Sequence, residues 1–457
     1  MNSIRLLIRR LHIQAPPAWG IEPVPEGKRT LRAFDLFVLW SNLGLGLLVL
    51  QAGALLVPGL SLRAAIAAIV VGTIIGTLLL ALTGLVGSDS GAPTMVLLRA
   101  VLGQRGSFLP TVLNVIQLVG WTAFELWVIA VTASRISQAV LGAPLYTLWL
   151  IVGTIVCLLL ALGGPLVVVR DWLEKFGIWV VYIASVWITV YLIGSGRIAR
   201  MLAQPGSNQM PFWLAVDLVV AMPVSWIPLV ADYTRFARRT PGAFWGTFAG
   251  YALANIWFYA LGALFVLGLG LSEPTPDAIA LAIMSITGGL LALVVILVDE
   301  TDNVFADIYS SAVSIQNIFP RLSQRWLIVG VTAISAALAA TLTMSRYYDF
   351  LLLVGSVFVS LFGILAADYF VLRRRRYTEA DLYGSQPASA SAASVHETGL
   401  NPAGLAAWFV GVVVYHVMAR VLPWLGASIP SFAATFVVYL LLSQVARVAR
   451  RAPATGR

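Results

Sequence analysis

Charge is what this chain has least of. Asp, Glu, Lys and Arg make up 11% of its 457 residues, against roughly 25% in an average soluble domain. With 60% hydrophobic residues, that scarcity excludes a single oversized water-soluble core. Cysteine is almost absent. Cys157 stands alone in an apolar run, so no intrachain disulfide can form; it reads as a small packing residue and leaves the redox compartment undetermined. Histidine is equally sparse: His12, His396 and His416 are scattered. No paired metal ligands and no activated nucleophile emerge, so neither an enzyme nor a cofactor is expected. No cleavable leader is expected either, because residues 1–35 are basic and proline-bearing with no apolar stretch before a small-residue site. The first span is expected to act as its own insertion signal. The net charge of +9 does not point to nucleic acid, since the basic residues fall in short clusters between apolar runs rather than on one face.

Those apolar runs are what the chain has in abundance, each long enough to cross a hydrocarbon core of about 30 Å. The expected class is an all-α polytopic membrane protein seated in the lipid bilayer. Twelve spans are read near 36–58, 65–87, 107–133, 145–168, 176–195, 211–233, 243–271, 289–316, 326–344, 349–372, 404–424 and 429–446. Residues 276–287 look too short to cross and read as a re-entrant or surface helix. With the N-terminus in the cytoplasm, 23 of the 29 Lys and Arg residues fall on the inner side, as the positive-inside rule requires. An odd number of spans would scramble that asymmetry. A multi-pass inner (plasma) membrane protein with both termini cytoplasmic is therefore expected. It divides into an N-terminal segment 1–35, a membrane core 36–372, a cytoplasmic linker 373–403, two further spans over 404–446 and a tail 447–457. Ser, Ala, Gly and Pro dominate residues 377–403, which reads as mobile. A channel is not expected, since no repeated selectivity element occurs.

Polar groups at membrane depth carry the functional signal, because a charge at the bilayer centre costs roughly 2.5–3.5 kcal/mol even on insertion scales. In span 1, "LWSNLGLGLLVLQAGALLVPG" sets Asn42 beside Gly44 and Gly46. Glycines alone would suggest close helix packing; Asn42 beside them suggests a locally opened helix facing a cavity. In span 6, "MPVSWIPLVADYTRFARR" brackets Ser225 and Trp226 with Pro223 and Pro228. Each proline frees a carbonyl that lipid cannot satisfy, which favours a binding segment over a plain kink. Asp232 and Arg235 follow at a helical spacing that suits an ion pair. Span 3 aligns Gln117, Trp121 and Glu125 at four-residue intervals, so one face offers amide, indole and carboxyl in succession. Span 8, "ILVDETDNVFADIYSSAVSIQN", carries Asp299, Glu300, Asp302 and Asp307. Asp299, Glu300, Asn303 and Asp307 share one stripe, while Asp302 projects to the other side of Asp299. A solvated charge run near the outer mouth suits Asp299 or Glu300. It does not cover Asp307, which lies deeper.

Breaks in spans 1 and 6, five spans apart, predict a five-plus-five inverted repeat with substrate at its midplane and spans 11 and 12 outside it. This pattern alone reaches a secondary transporter.

Further segments carry a family resemblance: "GSDSGAPTMVLLRAVLGQRGSFLP" at 87–110, "IQLVGWTAFELW" at 116–127, "PVSWIPLVADYTRFAR" at 223–238, "DIYSSAVSIQNIFP" at 307–320 and "YYDFLLLVGSVFVSLFGILAADYFVLRRRRY" at 347–377. Over roughly residues 20–377 the chain resembles the nucleobase–cation symport family 1, the purine and pyrimidine permeases, and looks most like its cytosine or hydroxymethylpyrimidine branch. The resemblance implies the leucine-transporter-type fold, a monomer, and cation-coupled import of a heterocyclic base held between aromatics of spans 3 and 6. It implies that Trp121 stacks on the base. Glu125 stands where some members carry an amide. On span 6 the usual stacking aromatic aligns with Pro223, so either Trp226 takes that role or span 3 stacks alone. Asp307 falls where relatives use an asparagine to read the base edge. A carboxylate only accepts hydrogen bonds, which favours a ring with an exocyclic amine, as in cytosine or 4-amino-5-hydroxymethylpyrimidine. Sodium-dependent relatives imply an ion site at Thr301 and Asp302; a proton on Asp302 or Glu125 is the other coupling mode. The alternative within the same fold is a cation-coupled amino-acid or amine transporter, suggested by the acidic stripe.

Overall fold

A ten-residue helix, α1 (Ala33–Asn42), stops short, and the chain turns by 61° before α2 (Leu47–Ala54) resumes the span. Gly46 makes the turn with φ at +140°, a backbone region that residues with a Cβ rarely adopt. This computed structural model describes residues 19–163, 177–194, 196–271, 275–341, 347–384 and 399–451. The first eighteen residues of the N-terminal segment, the inner-side Arg170 and Lys175, the outer-side Arg346, the middle of the linker and the tail after residue 451 lie outside the described residues.

The remaining helices follow in order: α3 (Leu62–Ser90), α4 (Thr94–Leu102), α5 (Phe108–Leu141), α6 (Tyr146–Gly163), α7 (Ile178–Gly194), α8 (Ile198–Ala203), α9 (Phe212–Ser225), α10 (Ile227–Thr234) and α11 (Thr240–Leu269). Then come α12 (Pro276–Met284), α13 (Gly289–Ile318), α14 (Gln324–Ala339), α15 (Tyr347–Ala366, with a π-helical end Ala367–Leu372), α16 (Glu379–Tyr383), α17 (Pro402–Val421) and α18 (Ser428–Arg451). Each segment read as a span carries a helix among its described residues. Among the described residues, eight helices are long and apolar enough to cross a bilayer, counting α9 with α10 as one, and the bent α1–α2 pair makes a ninth. The 30-residue α13 is long enough but laden with acids, while α7 and α14 have 17 and 16 residues. Large apolar side chains such as Ile116, Leu159 and Ile183 point outward, as lipid-facing surface should.

Span 6 departs from expectation. Pro223 lies within α9, and the only interruption is a one-residue joint at Trp226, where the Trp226 N–H reaches back to the Pro223 carbonyl and the Leu229 N–H to that of Trp226. Three-residue bonds of this kind tighten the helix without a sharp bend. The two breaks are therefore unequal.

Small residues let the helices cross closely, as membrane packing favours. A Cβ on Gly53 would overlap the Tyr259 backbone, and one on Gly262 would overlap that of Leu50, so α2 and α11 touch backbone to backbone.

Residues 19–32 form a strap over the ends of α3 and α10. Val24 N–H bonds Gly91 O, Leu31 N–H bonds Phe236 O, and Arg238 N–H returns to Leu31 O. Arg235 donates to the carbonyls of Gly20 at 2.8 Å and Trp19 at 3.3 Å. That overturns the expected ion pair, since Arg235 touches only the backbone carbonyl of Asp232. The Asp232 carboxylate instead accepts the Thr94 N–H and caps α4. Asp89 gathers three more bonds, from the Thr240 hydroxyl (2.6 Å), the Tyr369 hydroxyl (2.6 Å) and Arg375 (2.9 Å). The linker ends are docked rather than loose: Tyr377 bonds Asp368, Tyr383 bonds Ile21 O, and Gly399 O accepts the Arg105 N–H.

Candidate functional site

A small cavity lies where the α1–α2 break, the Trp226 joint, α5 and α13 meet. Leu43, Leu45, Gly46, Leu48 and Val49 supply one wall, and Met222, Ser225 and Trp226 another. Trp121 and Glu125 come from α5, and Glu300, Asn303 and Asp307 from α13.

The break is built by α13 as much as by glycine. The Glu300 carboxylate receives the N–H of Leu47, the first residue of α2, which otherwise has no partner at a helix start. Asn303 donates to Leu45 O at 3.3 Å. Asn42 donates to Asp302 at 3.1 Å, tying the end of α1 to the same helix. A polar helix thus replaces the hydrogen bonds that an unwound span loses, and lipid never meets them.

On α5, Trp121 is held edge-on by Phe350 at 5.2 Å and Tyr347 at 5.9 Å. Tyr347 in turn donates to Leu48 O at 3.1 Å, which fixes that aromatic wall to α2. Across the cavity, Trp226 stands on the same kind of support from Trp40. Two indoles therefore face one small volume, an arrangement able to hold a flat ring.

Among the described residues, Glu125 Oε2, Asp307 Oδ2 and Asn303 Oδ1 are buried without a hydrogen-bond partner. Those three atoms accept, the indole N–H of Trp121 is likewise buried without a partner and can only donate, and no Lys, Arg or His lines the cavity. The site asks for a ligand that offers N–H groups beside an acceptor.

Of the residues singled out from sequence, Trp121, Glu125, Ser225, Trp226 and Asp307 line this cavity. Gln117 lies just behind it, donating to Ser225 O at 3.0 Å and to Asn114 at 2.9 Å. Asn42 supports the break through Asp302. Gly44 is placed elsewhere: a Cβ there would press on Ala254 and the Tyr251 carbonyl, so it serves packing against α11. Pro223 is likewise turned away and packs on Gly76 of α3. Between the two span-6 choices, Trp226 is the cavity residue. Thr301 directs its hydroxyl to Val298 O at 2.7 Å, and Asp302 holds Asn42. Among the described residues, no group of three or more His, Cys, Asp or Glu is spaced to hold a metal ion.

Glu300, Asn303 and Gly46 were not assigned to the site. Glu300 lies two helical turns before Asp307, on the acidic stripe, and that spacing could have found it. Tyr347 and Phe350 reach Trp121 through tertiary packing, and no local pattern marks them.

The family of permeases for cytosine/purines, uracil, thiamine and allantoin matches residues 23–440. The chain belongs to that family. This permease is 27% identical over 374 residues to a putative purine-cytosine permease, YxlA, of Bacillus subtilis, covering 78% of this chain and 80% of that one. It is 25% identical over 359 residues to the cytosine permease of Escherichia coli K12, covering 78% and 81%. The permease shares its fold with Mhp1, a nucleobase-cation-symport-1 family transporter solved in a closed conformation with bromovinylhydantoin bound. The TM-score is 0.82 at 21% identity, with 96% of this chain and 97% of that one covered.

Proposed function

We propose that this permease is a secondary active transporter that imports a nucleobase-type heterocycle, cytosine or hydroxymethylpyrimidine, together with a sodium ion or a proton. The observation that carries this is the cavity itself, where two indoles flank acceptor-only oxygens of Glu125, Asn303 and Asp307. A flat ring with an exocyclic amine meets both demands. Uracil and hydantoin present carbonyl acceptors to the same oxygens and fit less well.

The α1–α2 break and the Trp226 joint both border the cavity, which supports a five-plus-five inverted repeat with substrate between its halves. Twelve spans, both termini in the cytoplasm, a place in the inner membrane and a monomeric unit complete the proposal. For a coupling sodium, Thr301 and Asp302 are the proposed ligands, beside the carbonyls that the break exposes.

One observation favours a second reading. Three carboxyl groups, of Glu125, Glu300 and Asp307, line a cavity without a basic side chain, which would also suit an amine. Thermal-shift measurements on purified protein against nucleobases, amino acids and amines separate the two. Stabilisation by cytosine or hydroxymethylpyrimidine alone supports the first; stabilisation by amines alone overturns it. Uptake of labelled cytosine by cells expressing the permease tests the transport step.

A further inference from the structure

We propose that Gln117 is a positioning residue of the substrate site: through the Ser225 carbonyl it fixes Trp226, and so sets the gap between the two indoles that a flat ring enters. The inference deepens the transporter reading above and rests on it.

The joint in span 6 leaves one carbonyl without its helical partner. In a continuous helix Ser225 O would accept the Leu229 N–H; here that N–H turns to Trp226 O at 3.2 Å. Pro228, one residue earlier, has no N–H to offer. The neighbouring carbonyls are served locally, Met222 O by the Ser225 hydroxyl at 2.6 Å and Pro223 O by the Trp226 N–H at 3.3 Å. Ser225 O instead receives the side-chain amide of Gln117, from a different span, at 3.0 Å. Ser225 and Gln117 are both buried, and lipid offers such a carbonyl no partner.

The amide is itself held. A carbonyl only accepts, so Gln117 must present its NH2 group to Ser225. The same group donates to Asn114 Oδ1 at 2.9 Å, and Asn114 Nδ2 donates in turn to Ser314 Oγ at 2.9 Å. Asn114 and Ser314 are buried as well. Three hydrogen bonds thus run from α13 through α5 to the joint. Gln117 Oε1 is left buried without a partner among the described residues, so the side chain contributes its donors alone.

The relay bears on the ligand because of what lies at its two ends. Gln117 precedes Trp121 by four residues and shares its face of α5, while Ser225 directly precedes Trp226. One helix therefore carries the first indole and, a turn away, the clamp that places the second. Glu300 and Asn303 do the same for the break in span 1, but they also line the cavity. Gln117 lies behind the cavity wall, so its effect on binding passes through Trp226.

Two measurements test this. The first is titration of labelled cytosine against purified protein. Gln117→Met keeps the length of the side chain and removes its donors; it should weaken binding about tenfold, the scale of one buried hydrogen bond. In a Trp226→Ala background the same change should cost less than about twofold, because the residue through which Gln117 acts is gone. In a Trp121→Ala background the full loss should persist. Losses of equal size in all three backgrounds overturn the proposal, since a general structural defect ignores Trp226. Should Gln117→Met not fold, Gln117→Asn, too short to reach Ser225 O, carries the same expectations. The second measurement needs no ligand. Amide exchange at Trp226, Ile227 and Leu229 should be about tenfold faster in the variant, with residues 289–298 of α13 unchanged. Unchanged exchange at the joint overturns the proposal. If cytosine binds no form of the protein, the substrate reading fails, and the exchange result still decides the role of Gln117.

Discussion

The indole of Trp226 meets that of Trp40 edge to face, with ring centroids 6.2 Å apart and planes at 83°. Trp40 is fully buried in α1, so the aromatic wall of span 6 is braced by the half of span 1 that precedes the break. The Trp226 wall of the cavity and the break are thus one mechanical unit.

Trp226→Ala and Trp121→Ala should each weaken base binding about 10- to 100-fold, the range that loss of one base–aromatic stack gives. Pro223→Ala, which changes a side chain packed on Gly76, should shift affinity by less than about threefold. Titration of labelled base against the purified variants measures all three. Equal losses at Pro223 and Trp226 would contradict the placement of the joint.

Gly262→Ala should destabilise the permease by about 1–3 kcal/mol, as overpacking does, because the new methyl group meets the Leu50 backbone. Gly330→Ala in α14 meets nothing within 4 Å and should be neutral, or stabilising by up to about 1 kcal/mol. Thermal unfolding in detergent checks the contrast.

Asp217 accepts the N–H groups of Ala427 and Ser428 at 2.6 and 2.9 Å, which makes it the cap of α18 although it belongs to α9. Asp217→Ala should cost about 0.5–2 kcal/mol, the usual range for a lost N-cap. Faster amide exchange should appear at residues 427–431, remote from Asp217 in sequence. Exchange confined to α9 would count against the cap.

Arg235→Gln removes the charged donor that holds the Gly20 and Trp19 carbonyls. Limited proteolysis should cut within residues 19–32 several times faster than in the wild type, while the melting temperature shifts only slightly. Unchanged cleavage would show that the strap is held by its backbone bonds alone.

The sequence exposed much of this arrangement for identifiable reasons. Apolar runs mark spans because lipid imposes them, and Trp121 and Glu125 share a face because a helix repeats every 3.6 residues. Asp307 announced itself by its depth in an otherwise apolar run. What stayed hidden was rotation. Prolines and glycines reveal where a backbone opens, yet not which side of it turns inward, so Pro223 and Gly44 were assigned to the site along with Trp226, while Gly46, which lines the cavity with Trp226, was not. Partners were hidden too: a solvated outer-mouth run, offered for Asp299 or Glu300, gives no hint that Glu300 is buried and completes the start of α2. The joint in span 6 is gentler than two prolines suggested, because three-residue bonds bridge it.

The carboxylate of Asp89 joins the end of α3, the start of α11 and the chain beyond α15 through three hydrogen bonds. A shift of any one of those elements therefore pulls on the other two through a single side chain, which water already reaches. Asp89 is the place where movement of α11 would be felt by the end of α15.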